Sequence, residues 1–386
     1  MAQNLDQIYL DYNATTPLAR EVSEKMTETL TSVWGNPSSG YKTGVQAKVA
    51  LESARENVAH MLGAAPADII FTSGGTEANN IVIFGILQYF EDWHKTNPKE
   101  VTSRPGARKE KPHVITTNVE HDAILLPIKH LQQAGKIDAT FVPVKRCGSI
   151  CPIAILSEIR PSTCLITVML ANNETGVVMP LEKIANGLKA ANSRRASENL
   201  IKILLHSDAA QAIGKIPFYG PRGGCLFARE PVYPMMFGGQ QERGLRPGTE
   251  NVAVAVGLGC AAELVSKNLD KYSDHFQRVR IFLEDKLKEE FAHFVRINFR
   301  DPSLNFLPNT CSVTFLSDVM TGSEILKGCA KVEASVGAAC HKTTKPSAIL
   351  IASGLTETEA RSTLRLSIGR ETTEDQITAA VADIRQ

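Results

Sequence analysis

The chain has 386 residues, with 42 Lys+Arg against 41 Asp+Glu, 43% hydrophobic and 22% charged. That balance excludes a disordered or collagen-like polymer and leaves no electrostatic footprint for nucleic acid or an anionic membrane. The length predicts two or three cored domains, and the expected partner is a small molecule or another protein.

The opening stretch MAQNLDQIYLDYNATTPL reads as neither a basic n-region nor an apolar leader, and no apolar run is expected to reach the roughly 18 residues of a membrane span. Eight cysteines, at 147, 151, 164, 225, 260, 311, 329 and 340, are too irregular for a disulfide framework. The expectation is a cytosolic protein in a reducing compartment.

Along the first two hundred residues one pattern recurs. A short apolar run ends in small or polar residues and gives way to a helical stretch, at 68–80, 113–124, 165–176 and 201–212. Alternation of this kind predicts a mostly parallel sheet with helices on both faces and a ligand at the carboxyl ends of its strands. Segment 91–112, rich in Lys/Arg and broken by Pro and Gly, reads as an exposed insertion, either a basic docking loop or a solvated surface loop. From about 252 helical periodicity dominates, with Phe276, Val279, Leu283 and Leu287 on one face. Strands are predicted at 309–316 and 363–370, and a terminal helix over 373–386 capped by Thr373. The expected organisation is a large domain over 16–252 and a small α/β domain from 1–15 and 253–386.

Several residues are suited to chemistry. In SGGTEANN (73–80) a strand enters a Gly-Gly-Thr turn before a helix, which aims free backbone N–H groups at one spot suited to phosphate; Ser73 or Thr76 as a plain helix cap is the alternative. Asp208 ends a strand as either a turn acceptor or the counter-ion of a protonated ring nitrogen. His121 in NVEHD would stack on an aromatic ring, shuttle a proton, or be merely structural. Asn172 and Asn173 read as ligand donors or as turn residues. Cys340, in ASVGAACHK with Gly337 and His341, suits an accessible nucleophile, while the other seven cysteines are expected to be buried hydrophobes. Cys147 and Cys151 have no second pair, so no metal site is expected. Arg365 and Arg370 are candidates for a carboxylate clamp or are exposed strand-end residues. No G-x-G-x-x-G opens the first strand unit, which argues against a dinucleotide enzyme.

Taken in order, YLDYNATTPL, GNPSSG, SGGTEANN, NVEHDAI, ANNETGVV, HSDAAQAIGK, FYGPR, ERGLRPGTEN, SVGAAC and LRLSIGR resemble the NifS-like cysteine desulfurases of the class V aminotransferase group, which use pyridoxal phosphate. The resemblance covers nearly the whole chain. It implies the type I fold of pyridoxal-phosphate transferases, with the smaller C-terminal domain carrying the cysteine loop. It also implies that Gly75 and Thr76 hold the cofactor phosphate, His121 stacks on the ring, Asn173 and Gln211 contact the phenolic oxygen, and Asp208 pairs with the ring nitrogen. Thr249 would reach a phosphate in the partner of a homodimer, and Arg365 would hold the substrate carboxylate. The implied activity removes selenium from selenocysteine, or sulfur from cysteine, leaving alanine. Cys340 would collect the chalcogen as a persulfide-like adduct or protonate the leaving group, and the chalcogen would pass to a reductant or acceptor protein.

The chain departs from the family pattern at one place. The family's lysine stands in a His-Lys pair just before FYGPR, where this sequence has Ile216-Pro217. Lys215 matches the lysine of the DAAQAIGK motif and is not given the role, so no lysine stands at the family position. A strand normally found between these motifs is missing as well, and its five or six buried residues amount to on the order of 10 kcal/mol. That compares with about 5–15 kcal/mol for a whole domain. The alternative is therefore a catalytically silent, shortened homologue that binds a competent partner.

Overall fold

The computed structural model describes residues 7–97, 110–216, 225–316, 320–337 and 345–386. The chain begins with β1 (Ile8–Tyr9), α1 (Arg20–Ser32), α2 (Lys42–Leu62), β2 (Ile69–Phe71), α3 (Gly75–Thr96), β3 (His113–Thr117), α4 (Asp122–Gln133) and β4 (Asp138–Val142). It continues through α5 (Pro152–Ser157), β5 (Thr163–Thr167), α6 (Leu181–Ser197), β6 (Leu204–His206) and β7 (Cys225–Phe227). The remainder is α7 (Val252–Phe291), β8 (Val295–Ile297), β9 (Thr310–Phe315), α8 (Gly322–Gly328), β10 (Val332–Glu333), α9 (Ala348–Ala352), α10 (Glu357–Arg361), β11 (Thr363–Ser367) and α11 (Glu374–Arg385).

β3 and β5 read HVITT and TCLIT and are buried along their whole length, the pattern of strands covered on both faces. They form a parallel sheet in the order β4-β3-β5-β6. Its carboxyl edge therefore presents the residues just after Thr117, Thr167 and His206, as expected.

One of the four expected strand ends lies elsewhere. β2 pairs antiparallel with β7 in a separate two-stranded sheet. Among the described residues no ladder joins β6 to β7, and a cavity of about 1090 Å³ is lined by both strands. Leu205 and Phe227, on the two strands, are 37% and 40% exposed. By chain order, the strand that the sequence lacks after Lys215 belongs in this interval. The sheet is divided where a connecting member would stand.

α7 joins two cores. Its first half packs against α1 and α2, with Val252, Ala255, Val256, Leu258 and Ala262 buried. Close approach requires glycine there: a Cβ on Gly257 would fall 2.6 Å from Met26 Cγ, and one on Gly259 would fall 2.6 Å from Ala54 Cα. The second half carries Val279, Leu283 and Leu287 into a cluster with Ile8, Leu10, Val313, Leu364, Leu366 and Ile377. In that cluster β11, β9 and β8 form an antiparallel sheet, and β1 pairs with β10. Thr373 caps α11 by accepting from Gln376 N at 3.2 Å.

Three expectations change. By length and composition, an 18-residue stretch of α7 is apolar enough to cross a membrane, with mean hydropathy 1.4. Its apolar side chains serve the helix–helix contacts just described. α3 continues through Thr96, so the start of segment 91–112 is helix, and residues 98–109 lie outside the described residues. Among the described cysteines only Cys164 and Cys311 are buried, whereas Cys147, Cys151, Cys225, Cys260 and Cys329 are half-buried. The cause is position: most of these five sit on turns or at element ends.

Candidate active site

At the start of α3, neither Ser73 nor Thr76 caps the helix. Gly74 is the N-cap residue and no side-chain cap bond is made to the first amides. Ser73 N instead donates to Glu77 Oε2 at 2.6 Å, and Glu77 is held by Arg246 Nε at 2.8 Å. Burial works against ionisation of Glu77, but Arg246 and Ser73 outweigh it and hold its carboxyl below the usual range. A Cβ added to Gly74 or Gly75 would meet nothing within 4 Å. The N-terminus of this helix of 22 residues thus faces open space, with its first amides uncapped.

Asp208 does two jobs. Its Oδ1 accepts from Ala210 N at 3.0 Å, the expected turn bond, and its Oδ2 accepts from Asn79 Nδ2 at 2.8 Å. Asn79 lies one turn into α3, so the strand-end carboxylate of one sheet is tied to the helix that follows the other. Gly75, Asn79 and Asp208 line the same cavity.

The two asparagines divide the readings offered for them. Asn172 is the turn residue, its Oδ1 accepting from Glu174 N and Thr175 N at 2.9 Å each. Asn173 lies within that turn but its side chain takes no part in closing it, and its buried Oδ1 has no hydrogen-bond partner. Arg365, buried on β11, donates Nη1 to Asn173 O at 3.0 Å and Nη2 to Asp11 Oδ1 at 2.6 Å, which leaves its Nε without a partner. Gln211 Nε2 donates to Asn13 O at 2.9 Å. Lys215 Nζ lies 3.0 Å from Gln211 Oε1 and 2.6 Å from Asn13 Oδ1. Leu170 N donates to Asp208 O at 2.9 Å, which seats the 208–215 turn on the segment leading to Asn173.

Other sequence-chosen residues lie apart from these two groups. His121 caps α4, Nδ1 accepting from Ala123 N at 3.1 Å, and does not line the cavity. Thr249 is exposed and does not line it either. Arg370 packs over the Tyr272 ring, 5.3 Å from its centroid. Cys340 lies outside the described residues. Nearby, Ser335 O accepts from Arg365 N at 2.6 Å, and a Cβ on Gly337 would fall 3.4 Å from Glu174 Oε2.

The sequence reading passed over two groups here. Glu120, beside His121, is buried and accepts from Met169 N and from Thr117 Oγ1 at 2.8 Å. Burial pushes its carboxyl up to about 8 against those bonds, with the charge of Asp208 adding to the rise. At neutral pH it is protonated, so it does not compete with Asp208 for a cation. His206 holds Nδ1 2.8 Å from Thr167 Oγ1, and burial pushes its pKa down to about 4, leaving a neutral ring at the cavity. Only the NVEHD and HSDAA motifs signalled either residue.

A phosphate-type helix start facing a strand-end carboxylate, on this order of elements, defines a class. The chain belongs to the aminotransferase class-V family, whose sequence model matches residues 8–229 and 229–379. The family is pyridoxal-phosphate-dependent, and the fold is that of its NifS-like type I members. The chain is similar to the solved "NIFS-LIKE PROTEIN" with TM-score 0.83 and 30% identity, over 98% of each chain. It is 45% identical to the selenocysteine lyase of Xenopus tropicalis, covering 98% of this chain and 93% of that protein. It is 33% identical to cysteine desulfurase IscS of Dictyoglomus turgidum, over 96% and 92%. The first of these protein alignments runs over 405 residues, more than this chain contains, so the relative carries positions with no counterpart here.

Proposed function

We propose that the chain is a pyridoxal-phosphate lyase that decomposes L-selenocysteine to L-alanine and reduced selenium, with cysteine as the competing substrate. The reading rests on family membership, and the higher identity to a selenocysteine lyase than to a desulfurase orders the two substrates. The matched relatives bear enzyme names, which leaves the silent-homologue alternative without support.

One geometric observation carries it: the 2.8 Å bond between Asn79 and Asp208. It joins a helix start suited to a phosphate to a carboxylate suited to a protonated ring nitrogen, the two ends of one pyridoxal phosphate. The unpartnered Asn173 Oδ1 and Arg365 Nε, and the open space before Gly75, fit such a ligand. When bound, the cofactor supplies a ring that accepts the electron pair left at Cα as its proton departs.

The chain's residues do the rest. Uncapped amides of Gly75 and Thr76 bind phosphate, Asp208 holds the ring-nitrogen proton, and Asn173 and Gln211 orient the phenolic oxygen. Arg365 fixes the substrate carboxylate so that the Cα–H bond is correctly turned. Cys340 takes the selenium and yields it to a reductant or an acceptor protein. A homodimer brings Thr249 of one copy to the phosphate of the other. An outward stripe on the first turns of α2, Tyr41 at 65% exposure with Val45 and Val49 at intervals of four, supports that association.

The test is alanine release from L-selenocysteine and L-cysteine by the purified chain with added pyridoxal phosphate, with the assembly mass measured on the same sample. Alanine from selenocysteine in excess over cysteine, from a particle of twice the chain mass, is expected. Alanine from neither substrate, in a sample that retains cofactor, overturns the reading.

A further inference from the structure

We propose that Lys215 is the lysine that forms the covalent C=N bond with the cofactor in this chain, replacing the missing family lysine. This rests on the pyridoxal-phosphate reading above and adds a residue to it. Three observations converge.

The first is location. Lys215 is 6% exposed and its Nζ is directed at Asn13 and Gln211. Gln211 is the side chain given the cofactor's phenolic oxygen, and the aldehyde carbon of pyridoxal phosphate is attached to the ring atom next to the one bearing that oxygen. Asn13 extends the network, donating Nδ2 to Asn173 O at 3.4 Å and to Thr310 Oγ1 at 2.9 Å. Asn173 O also accepts from Arg365. Lys215 therefore reaches Asn173 through Asn13, and Arg365 one bond further on through the Asn173 carbonyl; these are two of the residues that carry an unpartnered buried atom.

The second is local structure. The turn after Asp208 is closed by Ala212 N to Ala209 O at 2.9 Å and Lys215 N to Ala212 O at 3.1 Å. This puts Gln211 and Lys215, four apart, on one side of the turn, and Gly214 at φ 70° supplies the bend that returns the chain. The third is sequence. Loss of the intervening segment leaves Lys215 three positions before Phe218 of FYGPR, where the family lysine stands one position before it.

The chemistry balances without a co-reactant. A lysine ammonium and an aldehyde give a protonated C=N bond and one water; the N–C bond forms, the carbonyl oxygen leaves in the water, and the positive charge stays on nitrogen. A lysine held in a buried pocket is a setting in which the amine acts as a carbonyl nucleophile, and Lys215 is 6% exposed. The rival is Lys183, exposed on α6 at the rim of the cavity. It bonds to none of the residues named here.

The full chain is incubated with pyridoxal phosphate, freed of excess, reduced with borohydride, digested and mapped by mass spectrometry. A reduced pyridoxyl group on Lys215 is expected. Lys215→Gln should lower the labelled fraction at least about tenfold while cofactor retained without reduction is still measurable, and Lys183→Gln should leave the label in place. Label on Lys183 or another lysine, or retained cofactor with no reducible bond, overturns this assignment and leaves the pyridoxal-phosphate reading standing. A folded chain, by circular dichroism, that retains no cofactor overturns both.

Discussion

Asn172 and Asn173 are neighbours with the same side chain, and only one of those side chains bonds within the turn that holds both. The carbonyl oxygen of Asn172 is taken by two backbone amides, while that of Asn173 is left buried and unpaired. A sequence holds the pair but not the division, because that depends on which residue the local turn orients inward. Lys215 was obscured for a related reason: its motif membership was legible, and its burial against Asn13, some two hundred positions away, was not. His113 gives a residue-scale prediction. Its ring nitrogens lie 2.8 Å from Thr163 Oγ1 and 3.0 Å from Thr140 Oγ1, and burial pushes its pKa from 6.5 down to about 4. The unfolded chain therefore binds a proton in this window that the folded chain refuses. The stability this neutral ring contributes is intact above pH 6.5 and falls away as pH drops toward 4. Glu120 acts in the opposite sense, losing stability as pH rises from the ordinary carboxylate range through about 8. The difference between wild type and His113→Gln isolates the histidine: urea midpoints at pH 7 and pH 4.5 should fall less in the variant.

At the scale of elements, strands buried on both faces and helices with regular stripes were legible, because burial and period are written locally. β3, β9, β11 and α11 lie within the stretches read for them, and β5 begins two residues ahead of its stretch. The far end of α3 was misread because EDWHKT looks like loop once the apolar stripe ends, although the helix continues into solvent. The pairing of β2 with β7 was invisible, since two three-residue strands more than 150 positions apart have no common signal. What locates β2 is a set of side chains. Glu242 forms a two-pronged pair with Arg55 at 2.7 and 2.8 Å and accepts from Phe71 N at 2.8 Å, which ties α2 to the strand. The backbone accommodates this by placing Glu242 and Arg243 at φ 45° and 60°, left-handed values that non-glycine residues rarely adopt. Glu242→Gln would take away the buried counter-ion of Arg55 and leave it only the half-exposed Glu52, 3.1 Å away. It should cost about 3–5 kcal/mol, read as a lower denaturant midpoint at unchanged slope.

For the molecule as a whole, the order of motifs made the fold and the family legible along nearly the entire chain, and the division of the sheet is the feature they did not disclose. The sequence reported a segment missing; only the structure places both exposed flanks, at Leu205 and Phe227, on one cavity. The consequence is colloidal. Each flank is a row of backbone donors and acceptors with no paired neighbour among the described residues, a template on which another unfinished margin can zip. Purified protein is expected to scatter light increasingly with concentration and time at neutral pH. A Leu205→Lys gatekeeper should suppress that growth while leaving the helical circular-dichroism signal unchanged. Equal scattering by both proteins would show that the raw seam is not where the particles stick. How long this polypeptide stays dispersed is thus set by a plank absent from its interior.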